Sequence, residues 1–300
     1  LNKYNLKDFS IAVIIYNPDE KVMYRLTKYN KLTTNLIIID NSEQKHQYTD
    51  ILINKYSMYI NMHGNSGMSV ALNTAFKIAI SKKFSFLLTM DQDSEFSSDK
   101  IIRMMDYIRE NDDENIGIYC PNYRRLYWNK KLKKYVPDDF AIAEDTIQDT
   151  IFSMTSGSFM RVSTLVDLLP LTDYFIGYVD TDICFSLMKR GYKIMRVGKI
   201  YFDQSVGSRV YDNKYNRLFH VLNHRDIRYS YMIRNNLLLQ KKYVSNPQFV
   251  KSLKLGILRL MFNILVGEKH KFKKFISCIK GYILFKDNIL GNINGEKNEK

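Results

Sequence analysis

Two carboxylates one residue apart, Asp91 and Asp93 in "LLTMDQDSEF", stand where an apolar run from Phe84 to Met90 ends. Hard oxygen ligands at that spacing suit a divalent cation, because Mg²⁺ and Mn²⁺ take one or two carboxylates plus substrate phosphates. A cation so held would neutralise charge growing on a diphosphate leaving group. Three other apolar runs also end in polar groups, at Tyr16-Asn17, Asp40-Asn41 and His63-Gly64-Asn65. One Asp or Asn after a strand ordinarily makes the turn or caps the next helix, whereas four in series can line one crevice. A second acidic pair, Asp180 and Asp182 in "YVDTD", opens a helical pattern, where an N-cap and a helix-dipole acid are the competing explanation.

The elements that must position these groups are legible. Over the first 120 residues short β-rich runs alternate with helical patterns, as in a parallel α/β sheet. Strands are predicted over Phe9–Tyr16, Asn35–Asp40, Met58–Met62, Phe84–Met90 and Asn115–Cys120. Ligands of such sheets bind outside the carboxyl ends of the strands, near the reversal of strand order. Ser66 is expected to cap a helix buried through Val70, Leu72, Ala75, Phe76 and Ala79. Ser98 is expected to cap one buried through Ile101, Met104, Met105 and Ile108. The basic, aromatic stretch after Pro121 predicts a hairpin or long loop, and Gly191 a helix C-cap. No G-x-G-x-x-G follows the first strand and no G-x-x-x-x-G-K-[ST] occurs anywhere, which argues against dinucleotide and P-loop folds.

Composition narrows the classes. Three hundred residues, 45% hydrophobic and 25% charged, suit one large domain or two fused halves. Cys120, Cys184 and Cys278 are odd in number and in no C-x-x-C spacing, so neither a disulfide framework nor a zinc site is indicated. No basic, apolar leader opens the chain and no apolar run approaches ~20 residues, so the expectation is a cytoplasmic, non-spanning protein. The net charge of +14 concentrates between Lys241 and Lys286, where eleven Lys or Arg face one acid, Glu268. There Leu253, Ile257, Leu260, Met261, Ile264 and Leu265, then Phe272, Phe275, Ile276, Ile279 and Ile283, recur at helical spacing among lysines. Both stretches predict basic amphipathic helices on an anionic membrane surface; the alternative is that their apolar faces pack on the rest of the protein. The charge and 22 tyrosines also raise a nucleic-acid-binding reading. Against it, the cations lie beside aliphatic helix faces and no RNA-binding block is present.

The blocks "IAVIIYN", "IIIDNS", "GNSGMSVALNTAF", "LLTMDQDS", "MTSGSFM" and "FIGYVDTDICFSLMKRGYKI", in this order from about Ile11 to Gly291, resemble glycosyltransferase family 2. Within it the likeness is to bacterial rhamnosyltransferases of O-antigen, capsule and cell-wall polysaccharide synthesis. The resemblance implies an α/β GT-A fold, Rossmann-like, over 1–240, with a nucleotide-sugar half to about 120, an acceptor half to about 240, and a basic helical tail over 241–300. Tyr16, Asn17, Asp40, Asn65 and Ser156 would contact the nucleotide-sugar, and Asp91 the ribose or diphosphate. Asp93, with Asp91, would ligate Mn²⁺ or Mg²⁺. Asp180 would be the general base of an inverting transfer, with Asp182 positioning it or binding acceptor hydroxyls. Where relatives carry a histidine ligand this chain has Gln204, with Asp203 as a substitute; loss of activity is the rival this substitution leaves open. Arg228 and Arg234 of "RYSYMIRNNLLL" would clamp diphosphate or a phospholipid head group, unless that stretch is a plain amphipathic helix. The implied donor is dTDP-rhamnose, with UDP-hexose or galactofuranose as alternatives. The implied acceptor is a lipid-linked glycan, met by a protein peripherally bound to the inner face of the cell membrane, with no nucleic-acid partner.

Overall fold

The structure, a computed structural model, describes residues 6–129, 132–140, 143–210 and 223–293, without the side chains of 6, 125, 127, 138–140 and 204–210. The elements run β1 (Phe9–Ile15), α1 (Glu20–Leu32), β2 (Leu36–Asp40), α2 (Thr49–Lys55), β3 (Met58–Asn61), α3 (Gly67–Ser81), β4 (Phe86–Asp91) and α4 (Ser98–Asn111). They continue with β5 (Ile116–Asn129), β6 (Lys134–Phe140), β7 (Ile147–Asp149), β8 (Ser158–Arg161), α5 (Val162–Leu165), α6 (Val179–Lys189) and β9 (Lys193–Val210). Three helices follow: α7 (Asp226–Lys242), α8 (Pro247–Val266) and α9 (Lys271–Lys286).

The chain forms two compact units, which interleave in sequence. One takes Leu1–Arg124, Phe140–Thr172 and Val179–Gln204; the other takes Arg125–Asp139, Asp173–Tyr178 and Ser205–Lys300. This corrects the expected boundary at 240, because α7 and the helices after it share one core and cannot be divided there.

In the first unit the sheet order is β3-β2-β1-β4-β8-β5-β9-β7. The first four strands are mutually parallel, as the alternating pattern predicts. The short β8 is antiparallel to both β4 and β5. The chain moves outward from β1 to β3 and returns to place β4 on the other side of β1, so strand order reverses between the ends of β1 and β4. The expected strand at Asn115–Cys120 runs on to Asn129, since the residues past Pro121 pair with β6. Phe9 stacks on Phe86, ring centroids 5.5 Å apart, in a core that takes Ile101, Met104, Met105 and Ile108 from α4.

Helix ends follow local chemistry, with two corrections. Ser66 stands at the N-cap position of α3 as expected, but its side chain does not cap: its hydroxyl goes to Asn41, and the Gly67 N–H is met by Asn65 Oδ1 at 3.2 Å. Ser98 is the first helical residue of α4 rather than its cap. Gly191, at φ +89°, ends α6 as expected, with its N–H on Met188 O and the Tyr192 N–H on Leu187 O. That pair of bonds is the Schellman closure, which needs a left-handed residue.

In the second unit α7, α8 and α9 share a core of Tyr229, Ile233, Ile264 and Cys278. A Cβ on Gly281 would overlap Ser230 O, so α9 lies tight against α7 there. Lys274 and Glu268 form an ion pair of 2.6 Å in which both side chains are 2% exposed. Among the described residues no helix is long and apolar enough to cross a membrane.

Candidate active site

The ends of β1, β2 and β3 are tied together by side chains. Asn17, at φ +45°, donates its N–H to Ser42 Oγ at 2.8 Å. Asn41 accepts from the Ser66 N–H and hydroxyl, and its amide reaches Asn65 Oδ1 at 3.3 Å. Tyr16 is exposed, and its backbone N–H and C=O pair with the side-chain amide of Gln92 at 2.8 and 3.0 Å. That amide therefore bridges β1 to β4 at the point where strand order reverses. Arg25 of α1 donates to Gln92 O at 2.6 Å.

Asp40, expected to meet the nucleotide directly, is 1% exposed. One oxygen accepts the Ser42 N–H at 3.0 Å; the other takes Tyr59 Oη and His46 Nε2, each at 2.7 Å. Burial alone would raise its pKa, but the hydrogen bonds from Ser42, Tyr59 and His46 outweigh that and hold the carboxyl below its ordinary range. Asp40 thus organises the loop that presents its neighbours rather than reaching a ligand itself.

The end of β4 is arranged in the opposite way. Asp91 is pushed up to about 7, first by burial and then by the charges of Asp180 and Asp93. Asp180 of the second acidic pair is therefore brought beside Asp91 and Asp93, with Asp93 exposed. The loop before β8 holds this arrangement. Ser156 Oγ accepts the Asp91 N–H at 3.2 Å, and Thr155 Oγ1 donates to Asp180 Oδ1 at 2.9 Å. Gly157, at φ +86°, lets the loop turn, and its N–H reaches Thr89 O. A Cβ at Gly157 would stand 2.8 Å from Phe202.

Three expected roles change. Of the two roles expected of Asp182, its 2% exposure opposes the binding of acceptor hydroxyls and not the positioning of Asp180; it is a buried acid in the first turn of α6. Asp203, the expected substitute metal ligand, is engaged instead by Arg124, which bonds its two oxygens at 2.7 and 3.0 Å; the side chain of Gln204 lies outside the described residues. Arg234 is wholly buried in the second unit, with its guanidinium on Tyr174 O, Gly291 O and Asn235 Oδ1. It clamps neither diphosphate nor lipid. Asn235 completes that network by donating to Tyr174 O, Ile176 O and Gly177 O. The turn it holds carries Phe175 at φ +59° and Tyr178 at φ +65°.

Asp91 and Asp93 fit a divalent cation, since hard carboxylate oxygens surrounded by like charge are what such an ion compensates. Among the described residues no group of three or more His, Cys, Asp or Glu side chains forms a metal cage. Further ligands would come from substrate phosphate and water, the usual habit of Mg²⁺. Sequence reasoning missed Thr155, Arg25, His46 and Tyr59. Thr155 alone had a signal, as the neighbour of Ser156.

A model of the family "Glycosyl transferase family 2" matches residues 10–167. No curated protein matches. Among solved structures the chain is similar to S. aureus TarS 1-349, with 12% identity over 92% of this chain and 80% of that one, TM-score 0.57. It is also similar to the mannosyltransferase PcManGT from Pyrobaculum calidifontis in complex with GDP-Man and Mn²⁺, with 12% identity, coverage of 98% and 79%, and TM-score 0.53. A third likeness is GalNAc-T7 with UDP, GalNAc and Mn²⁺, with 13% identity and TM-score 0.50 over 67% of this chain; the chain spans 44% of that protein.

Proposed function

The chain belongs to glycosyl transferase family 2 and has a GT-A fold, and on that premise we propose that it is an inverting, metal-dependent transferase that moves rhamnose from dTDP-rhamnose to a lipid-linked or polysaccharide acceptor. The observation that carries the chemistry is the meeting of Asp91, Asp93 and Asp180 at one strand end. Asp180, oriented by the Thr155 hydroxyl, takes the proton of an acceptor hydroxyl as its oxygen bonds to the anomeric carbon. The bond from that carbon to the diphosphate breaks on the opposite face, so configuration inverts. Base assistance of this kind is worth ~10²–10⁴-fold.

Asp93 and Asp91 would hold Mn²⁺ or Mg²⁺, which when bound offsets negative charge on the diphosphate. Mn²⁺ in two of the structurally similar proteins supports this reading. Tyr16, Asn17 and Asn65 line the nucleotide side, with Asp40 holding them in place. Ser156 fixes the backbone beside Asp91. A lipid-linked acceptor puts the reaction at the inner face of a bacterial membrane, in capsule or O-antigen synthesis. UDP-hexose or galactofuranose is the alternative donor. Calorimetric titration with dTDP, UDP and GDP, each with and without Mn²⁺, tests the proposal. Metal-dependent binding that favours dTDP is expected; a preference for UDP moves the assignment to the alternative donors, and no binding to any of the three overturns it.

A further inference from the structure

The second unit turns apolar surface outward. α8 buries Phe249, Leu253 and Ile264, while on its far side Leu255, Leu258, Phe262 and Leu265 are exposed, Leu258 by 65%. α9 buries Lys274, Cys278, Gly281 and Leu284, while Phe272, Phe275, Ile276, Ile279 and Ile283 are exposed, Phe272 by 77%. At 3.6 residues per turn each exposed set lies opposite the buried one. The stripe expected on α8 therefore faces mostly inward, and a second apolar stripe faces out. α9 cannot roll to hide its own, because Gly281 is seated against Ser230 and Lys274 is locked to Glu268.

Charge says what covers these faces. Lys251, Lys254 and Arg259 on α8, and Lys271, Lys273, Lys280 and Lys286 on α9, are exposed around the stripes. The one acid between Pro247 and Lys286 is Glu268, buried in its ion pair. A second copy of the chain would set cations against cations. A bilayer bearing anionic lipid meets both demands, receiving the apolar stripe at the acyl boundary and the lysines at the phosphates.

We propose that the outward faces of α8 and α9 are the surface by which the chain binds an anionic membrane, with Phe272, Ile276 and Ile279 entering the acyl boundary. The inference deepens the membrane part of the preceding reading and is independent of the donor chemistry. Its test is co-sedimentation of the full chain with vesicles of phosphatidylcholine alone and of an equal mixture with phosphatidylglycerol. Binding is expected to the mixed vesicles only, weakening with salt. Phe272→Ser/Ile276→Ser/Ile279→Ser should lower partitioning by about tenfold or more, and Lys273→Gln/Lys280→Gln by about tenfold with a shallower salt dependence. Both variants should keep the thermal unfolding of the parent, since the altered side chains are exposed. No binding to the mixed vesicles overturns the membrane reading altogether. Undiminished binding by the apolar variant overturns this face alone, and self-association that the same variant abolishes assigns the face to a second copy instead.

Discussion

The ends of β2 and β4 each close on an aspartate, and the protein treats the two carboxylates in opposite ways. Asp40 is enclosed by donors, with Ser42, Tyr59 and His46 filling its oxygens and holding its pKa below the ordinary range. Asp91, half-buried at its strand end, is desolvated and set among like charges, Asp180 and Asp93, and is pushed up to about 7. A carboxylate whose lone pairs are met belongs to the framework. One that faces other carboxylates is comfortable only with a proton or a cation, and shifts of that kind mark functional sites. The same motif of an apolar strand ending in Asp thus serves positioning in one place and chemistry in the other.

The largest effect that would sharpen this contrast lies beyond both residues. Asp180→Asn should lower turnover by ~10²–10⁴-fold while donor affinity stays within a few-fold, read by steady-state kinetics beside calorimetry; retained turnover removes Asp180 as the base. Asp93→Ala should erase the difference in donor affinity with and without Mn²⁺, and an unchanged difference would sink the metal assignment.

Next come the two strand ends themselves. Asp40→Asn should destabilise the ligand-free protein by about 1–3 kcal/mol, because His46 and Tyr59 lose an ionised acceptor. Asp91→Asn should instead raise its melting temperature by relieving repulsion. Equal losses in both would break the comparison. The pH profile carries the same contrast. Asp91 has a folded pKa above its usual 3.8, so without metal the folded state binds more protons and stability falls as pH rises from about 4 to about 7. Thermal melts of Asp91→Asn should lose that fall. The depressed pKa of Asp40 has the other sign: its stabilising share is present above the ordinary carboxylate value and is lost as pH drops through the folded one. Tyr59→Phe is the mildest test, worth about 0.5–1.5 kcal/mol in denaturant unfolding.

Much of the first unit can be read directly from its apolar runs, since β1 to β4 are continuous and their ends are punctuated by polar groups. The antiparallel β8 was not legible, because four residues carry no record of which distant strands they join. At the site, the spacing of Asp180 and Asp182 held more than the expectation drew from it: residues two apart on a helix stand roughly 200° around the axis, so only one of the pair faces outward. Arg234 was misread because residue type does not say whether a guanidinium meets phosphate or carbonyl groups. In α9 the periodicity identified the apolar stripe correctly but not its direction, which depends on Gly281 and Lys274 and their partners on other elements.

The interleaving of the second unit fixes when it can be completed. The N–H of Gly291 bonds Asp173 O at 3.0 Å, Arg234 joins Tyr174 O to Gly291 O, and the Ile293 N–H reaches Tyr231 Oη at 3.1 Å. A chain emerging from the ribosome can assemble β1 through α4 from neighbouring segments, but the turn around Phe175 and Tyr178 must wait more than a hundred residues for its last partners. Until then Arg234 and Asn235 of α7 hold its carbonyls without the bonds from residues 289–293, so the closing step of folding is a long-range one. Stalled or nicked chains lacking residues 289–293 should accumulate with the first sheet formed and that turn still open.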